Sequence, residues 1–72
     1  MEKDVREVFA ERLKELREEK GLTFQQLEKE TGISNASLCR WENCKVDAKM
    51  YQLVKLAEYF GVTTDYLLGL EN

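Results

Sequence analysis

The 72-residue sequence predicts an all-α fold of five short helices, and three observations support that fold class. Apolar residues recur at helical spacing throughout, and no period-2 run is long enough for a strand. Glycines stand at 21, 32, 61 and 69, where helices are expected to end. A residue that caps helices follows two positions after each of the first three glycines. A chain of this length builds only one core, so we expect a single domain over residues 1–72.

The first helix is predicted over roughly residues 4–20. Val5, Phe9 and Leu13 fall on one face, and charged side chains occupy the opposite face. Gly21 is expected to end this helix in the left-handed conformation, which glycine adopts without a steric penalty.

The second helix is predicted from a capping box that Thr23 and Gln26 form three residues apart. Leu22 and Leu27 flank the box as a hydrophobic staple, which fixes the angle at which the chain enters the helix. The helix should end before Gly32 and is therefore barely two turns long.

The third helix is predicted to begin after Ser34 and to run to about Asn43, with Leu38 and Trp41 facing the core. Together with the second helix and the glycine-containing turn, it forms a helix-turn-helix over residues 23–43. In this motif the second helix of the pair lies in the major groove of DNA, with its N-terminal residues at the base edges.

Two further helices complete the prediction. The fifth runs from its cap at Thr63 through Leu68, and Gly69 ends it. The fourth spans roughly residues 49–60, and its expected inward face consists of Met50, Leu53, Val54, Ala57 and Phe60.

Composition excludes several classes of function. The chain has no His and only two Cys, which argues against histidine-based catalysis, a disulfide scaffold and a zinc site. No nucleophile with a base and no glycine-rich phosphate loop is visible, so we expect no enzyme and no cofactor. Without a membrane-spanning run or a signal peptide, the protein is expected to be cytoplasmic. Cys39 and Cys44 are expected to be ordinary reduced thiols.

The charge distribution points to the middle of the chain. The net charge of −3, from 11 basic and 14 acidic residues, argues against a nonspecific binder of polyanions. Residues 31–51 form the only net-positive third of the chain, and they contain the third helix.

All five segments, in their order and spacing, resemble the lambda-repressor-like, Cro-type helix-turn-helix family, also called the XRE family of bacterial and phage regulators. The resemblance covers about residues 8–70. It rests on Gly21-Leu22-Thr23, Thr31-Gly32-Ile33-Ser34 and Arg40-Trp41-Glu42-Asn43. It implies a compact five-helix lambda-repressor-like DNA-binding domain and a sequence-specific repressor of transcription. The implied recognition helix is residues 35–43.

The resemblance also implies roles for individual side chains. Family members contact base edges from positions that here are Asn35, Ala36, Ser37 and Arg40. Positions expected to contact phosphates are Thr23, Gln25, Arg17, Asn43, Lys45 and Lys49. Arg17 and Glu42 match an ion pair between the first and third helices, which is either exposed and weak or partly buried and structural. Each of the other side chains has a plainer alternative as a solvated or capping residue.

Two residues of the second helix depart from the family pattern. Phe24 replaces a polar residue that contacts phosphate in many members, so this contact is lost or Gln25 provides it. Glu28 replaces a small residue where the two helices meet, and an unpaired buried carboxylate there would be unfavourable. We expect Glu28 to reach the edge of the interface or to pair with Arg40 or with a helix N-terminus.

Two more departures lie near the fourth helix. Cys44 replaces a glycine, so it is either strained or the loop bends differently. Lys49 stands near the usual position of a capping Ser or Thr, and we expect Asp47 to cap the helix instead.

The expected partner is a palindromic double-stranded DNA operator bound by a homodimer, with the dimer contact near Tyr59, Tyr66 and Leu70. The chain is interpreted either as a stand-alone, prophage-type regulator or as the DNA-binding domain of a larger protein. The alternative function is a protein-interaction module, antirepressor-like or antitoxin-like. A positive rim from Arg17, Arg40, Lys45 and Lys49 would favour DNA.

Overall fold

The computed structural model of the chain describes residues 4–43 and 46–71. Five helices follow in the order α1 (Val5–Glu19), α2 (Phe24–Thr31), α3 (Asn35–Asn43), α4 (Met50–Phe60) and α5 (Thr64–Leu67). No strand occurs in the described residues, so the predicted all-α fold class is confirmed. None of these five helices is both long enough and apolar enough to cross a membrane.

The helix boundaries of the helix-turn-helix arise from the predicted local signals. The Thr23 hydroxyl accepts a hydrogen bond from the Gln26 amide at 3.1 Å, and the Gln26 carboxamide oxygen accepts one from the Thr23 amide at 2.8 Å. Gly21 and Gly32 follow α1 and α2 with φ angles of +66° and +79°, which non-glycine residues adopt only at a steric cost. These signals fix where α2 begins and ends.

One leucine from each helix is fully buried, and together these five residues form the centre of the core: Leu13, Leu27, Leu38, Leu56 and Leu67. Each such burial stabilises the fold by about 1.5–3 kcal/mol. Trp41 is also buried, as predicted, and its ring lies 5.8 Å from that of Phe9. The core therefore joins α3 to α1 as well as to α2.

The predicted inward face of α4 is partly wrong. Met50 is 83% exposed and Val54 also faces solvent, whereas Leu56 is fully buried. Two overlapping apolar stripes run along this helix, and packing against α2 and α5 buries the one that contains Leu56. Val5, predicted on the inner face of α1, is 48% exposed.

The ends of α4 and α5 also differ in detail from the prediction. The N-cap of α4 is Lys49 rather than Asp47, and its amide donates to the Gln52 carboxamide oxygen at 2.8 Å. The Lys49 side chain itself makes no capping hydrogen bond. Asp47, the predicted cap, lies instead beside Arg6, with its carboxylate 3.9 Å from the Arg6 Nε. The α5 helix ends one residue before Leu68. The departure predicted at Cys44 lies outside the described residues.

Candidate nucleic-acid interface

An ion pair between Arg17 and Glu42 fixes α1 against α3. The Arg17 Nε donates to one Glu42 oxygen at 2.8 Å, and a terminal guanidinium nitrogen donates to the other at 3.1 Å. The two side chains are only 14% and 3% exposed, so the structure places the pair in a partly buried, structural setting. The hydrogen bond to Glu42 is the main reason that the pKa of Arg17 is raised above its usual value.

The same guanidinium also organises the start of α2. Its other terminal nitrogen donates to the Leu22 carbonyl at 2.7 Å, and its central carbon lies 4.3 Å from the centre of the Phe24 ring. Phe24 therefore stacks on Arg17, which explains physically why an aromatic residue fits a position where a polar one was expected. Arg17 thus links α1, α2 and α3 through a single side chain.

The outer face of α3 is formed by side chains at helical spacing, and its exposed members are Asn35, Ala36, Cys39, Arg40 and Asn43. Within the described residues, Arg40 makes no hydrogen bond or ion pair, so its donors are available to a ligand. Cys39 was not predicted on this face, although its position three residues after Ala36 could have indicated it. Ser37, another predicted base-contacting residue, is half-buried.

Two of the polar groups on α3 are engaged by the helix itself. The Ser34 hydroxyl accepts from the Ser37 amide at 3.2 Å and donates to the Ser37 hydroxyl at 3.0 Å. At the other end, the Asn43 carboxamide nitrogen donates to the Cys39 carbonyl at 2.8 Å. Ser34 therefore caps α3, and the Ser37 and Asn43 side chains retain the rest of their hydrogen-bonding capacity for solvent or a ligand.

Glu28 lies at the N-terminus of α3, which is one of the two partners expected for it, and not at Arg40. One of its carboxylate oxygens accepts from the Asn35 amide at 3.1 Å and from the Asn35 carboxamide nitrogen at 2.5 Å. A negative charge is favourable there because the N-terminal end of a helix is partly positive. The sequence did not identify Asn35 as the partner, since the contact spans the turn between two helices.

Most of the predicted phosphate-contacting residues in the described part of the chain are exposed. Thr23, Gln25 and Lys49 are all exposed, and Lys45 lies outside the described residues. Because Arg17 is neutralised by Glu42, the positive rim in the described part of the chain is reduced to Arg40 and Lys49. The contribution of Arg17 to the rim is therefore smaller than the sequence predicted.

The chemistry available on α3 suits recognition of hydrogen-bonding edges. Its outer face offers amide donors and acceptors, one guanidinium and a small apolar side chain, Ala36. These are the groups that distinguish base pairs in a major groove. Among residues 4–43 and 46–71, no group of three His, Cys, Asp or Glu side chains could hold a metal ion.

A model of a helix-turn-helix domain matches residues 10–72. No solved structure gives a significant match.

Curated relatives show the same similarity over most of the chain. The HTH-type transcriptional regulator ImmR of Bacillus subtilis is 37% identical over 64 residues, which are 89% of this chain and 50% of that protein. The uncharacterized HTH-type transcriptional regulator YobD of the same species is 35% identical over 65 residues, or 90% and 58% of the two chains. The HTH-type transcriptional activator BcrR of Enterococcus faecalis is 36% identical over 64 residues, or 89% and 31%. The chain thus spans less than two thirds of the length of each of these relatives.

Proposed function

The chain belongs to the helix-turn-helix domain family of XRE-type transcriptional regulators, and we propose that it binds double-stranded DNA sequence-specifically with α3 in the major groove. The outer face of α3 is the observation that supports this proposal. It presents Arg40 without a partner among the described residues, on a helix whose inner face is anchored by Leu38, Trp41 and Glu42. A rigid helix with a free hydrogen-bonding face is what direct readout requires.

The proposed base contacts follow from the chemistry of each side chain. Arg40 would donate two hydrogen bonds to O6 and N7 of a guanine, and Asn35 would pair with N6 and N7 of an adenine. Ala36 would contact a thymine methyl group, and Ser37 would use the hydroxyl capacity that its hydrogen bond with Ser34 leaves free. Each bidentate contact would contribute about 1–3 kcal/mol of discrimination against the wrong base.

The proposed phosphate contacts surround this helix. Thr23 and Gln25 stand at the start of α2, which crosses the DNA backbone in this arrangement. Lys49 and Lys45 would add sequence-independent attraction, and Asn43 would contact the backbone from the end of α3. Arg17 would act on binding chiefly through its position between α1 and α3, because three of its nitrogens already donate within the protein.

The assembly proposed is a homodimer on a palindromic operator, with half-sites one helical turn apart. Leu70 is exposed and available for such a contact, whereas Tyr59 and Tyr66 are half-buried, Tyr66 beneath the Arg12 guanidinium.

We propose that the protein acts in the cytoplasm as a repressor, by covering DNA that polymerase would use. The role is binding rather than catalysis, in keeping with relatives that are named transcriptional regulators.

A second candidate is a protein-interaction module on the same scaffold. One observation favours it, since Met50, Tyr51 and Val54 form an exposed apolar group on α4. We prefer DNA binding because an apolar contact through α4 would leave the hydrogen-bond donors on the outer face of α3 without a role. The two candidates make opposite predictions about binding to duplex DNA.

The test is an unbiased selection of random duplex DNA with the wild-type chain and with Arg40→Ala. We expect a palindromic motif in which the variant loses one base preference while the others remain. Lys14→Ala, an exposed change on α1, is the control and should select the wild-type motif. Failure of a folded wild-type protein to enrich any motif at low salt would contradict the proposal and favour the protein-interaction module.

A further inference from the structure

Asn35, the first residue of α3, is hydrogen-bonded to the carboxylate of Glu28 on α2. A single Glu28 oxygen accepts from both the backbone amide and the carboxamide nitrogen of Asn35, at 3.1 Å and 2.5 Å. The backbone donor cannot rotate, so it fixes this oxygen relative to α3. The second hydrogen bond then fixes the side chain of Asn35 relative to the same helix.

The chemistry of the pair determines which edge of Asn35 is presented outward. A carboxylate only accepts hydrogen bonds, so the group facing Glu28 must be the amide nitrogen. The carbonyl oxygen of Asn35 and the second hydrogen on its nitrogen remain available. This acceptor and donor match N6 and N7 of adenine.

The charge of Glu28 acts against binding to DNA in general. A carboxylate beside the recognition helix repels phosphates at any sequence, and its own attraction is to the N-terminal end of α3. The effect of Glu28 on base selectivity needs only an acceptor atom, whereas its effect on DNA affinity needs a negative charge. Substitutions can therefore separate the two effects.

We propose that Glu28 is a specificity-determining positioning residue, which orients Asn35 so that the helix prefers adenine at one position of the operator. The inference rests on the proposed function. It extends that function by assigning base preference to a residue that need not touch DNA. Glu28 lowers the affinity for duplex DNA of any sequence while sharpening this one preference.

Two conservative variants separate the acceptor from the charge. Glu28→Gln keeps a carbonyl oxygen within reach, and the fixed backbone donor of Asn35 orients that oxygen rather than the new amide nitrogen. Glu28→Asp keeps the charge but is one methylene shorter, so its oxygens no longer reach Asn35. Both variants retain a polar side chain at the edge of the interface, which favours folding.

The experiment is a selection of random duplex DNA with each variant, followed by affinity measurements on the selected site and on an unrelated duplex. We expect Glu28→Asp to lose about fivefold or more of the preference for one base pair, the scale of a bidentate contact. Glu28→Gln should keep the preference and bind the unrelated duplex more tightly. Circular dichroism and urea denaturation would establish that both variants are folded.

Asn35→Ala identifies the base pair concerned. This variant should lose the preference at the same position, and adding Glu28→Asp to it should change that preference no further. A structural role for Glu28 alone would not produce this coupling, since a loss of stability would weaken binding to all sequences equally.

Several results would overturn the inference. It is wrong if Glu28→Asp keeps the preference, if Glu28→Gln loses it, or if the affected base pair differs from that of Asn35→Ala. The last result would mean that Glu28 contacts a base itself. A wild-type chain that selects no motif would instead refute the proposed function, and this inference with it.

Discussion

The guanidinium of Arg17 and the carboxylate of Glu42 form two hydrogen bonds that join α1 to α3 across the core boundary. Only 3% of the Glu42 side chain is exposed, and among the described residues Arg17 supplies its counter-charge. Since Arg17 also contacts Leu22 and Phe24, the pair sets the position of both helices of the motif relative to α1. The recognition surface is therefore supported by a charged contact as well as by apolar packing.

Removing Arg17 is expected to be strongly destabilising. Arg17→Met would leave Glu42 buried without a counter-charge, and we expect the free energy of unfolding to fall by about 3–5 kcal/mol. The double variant Arg17→Met/Glu42→Leu should recover most of that loss, because it buries no unpaired charge. Urea denaturation followed by circular dichroism measures both changes. A loss below about 1 kcal/mol in the single variant would mean that the pair behaves as an exposed one.

The aromatic ring of Phe24 is expected to stabilise the fold through Arg17. Phe24→Leu keeps an apolar side chain but removes the ring face, and we expect a loss of about 0.5–2 kcal/mol in the free energy of unfolding. The same change made in Arg17→Met should cost less, since the cation is already absent. Equal losses in the two backgrounds, measured by urea denaturation, would show that Phe24 acts by packing alone.

The parts of this fold that could be predicted from sequence are those with local causes. The box of Thr23 and Gln26 and the glycines at 21 and 32 act within a few residues, so the limits of α2 were predictable. The inward face of α4 was not, because Met50 and Leu56 lie on competing apolar stripes and only the neighbouring helices decide between them.

In the candidate site, too, features with local causes could be predicted and contacts between helices could not. The exposed face of α3 follows from helical spacing and could be predicted. The contacts of Glu28 with Asn35 and of Phe24 with Arg17 depend on the angle between helices, which no local pattern encodes. A family resemblance did not supply them either, since both involve residues at which this chain departs from the family pattern.

Gly69 is expected to tolerate a side chain less well than Gly21. Both have positive φ angles, of +78° and +66°, which cost an alanine about 1–2 kcal/mol at either position. A Cβ at Gly69 would also lie 2.6 Å from a methyl group of Val8, whereas nothing lies within 4 Å at Gly21. We therefore expect Gly69→Ala to lose about 1–3 kcal/mol more than Gly21→Ala in thermal or urea denaturation.

The contact with Val8 provides a matched test of that difference. Val8→Ala would remove the methyl groups that clash, so Gly69→Ala should be less damaging in that background than in the wild type. Equal effects of Gly69→Ala in both backgrounds would contradict the steric explanation and would leave only the cost of the backbone conformation.

Lys49 is expected to strengthen DNA binding while leaving the fold less stable than a capping residue would. It is the N-cap of α4, in extended geometry with φ −74° and ψ 152°, and its side chain makes no capping hydrogen bond. Lys49→Ser would supply the missing acceptor, and we expect the free energy of unfolding to rise by about 0.5–2 kcal/mol. The same change removes a cation from the proposed DNA-binding face, so the slope of log K against log salt should become shallower by about 0.9.

Lys49→Ala separates the two effects, because it removes the charge without adding a cap. It should show the same change in salt slope as Lys49→Ser and no gain in stability. An unchanged slope in both variants would place Lys49 away from the phosphates. If Lys49→Ala raised the free energy of unfolding as much as Lys49→Ser, removal of the positive charge, and not a new cap, would account for the gain in stability. Salt titrations on the selected operator and urea denaturation at fixed salt distinguish these outcomes.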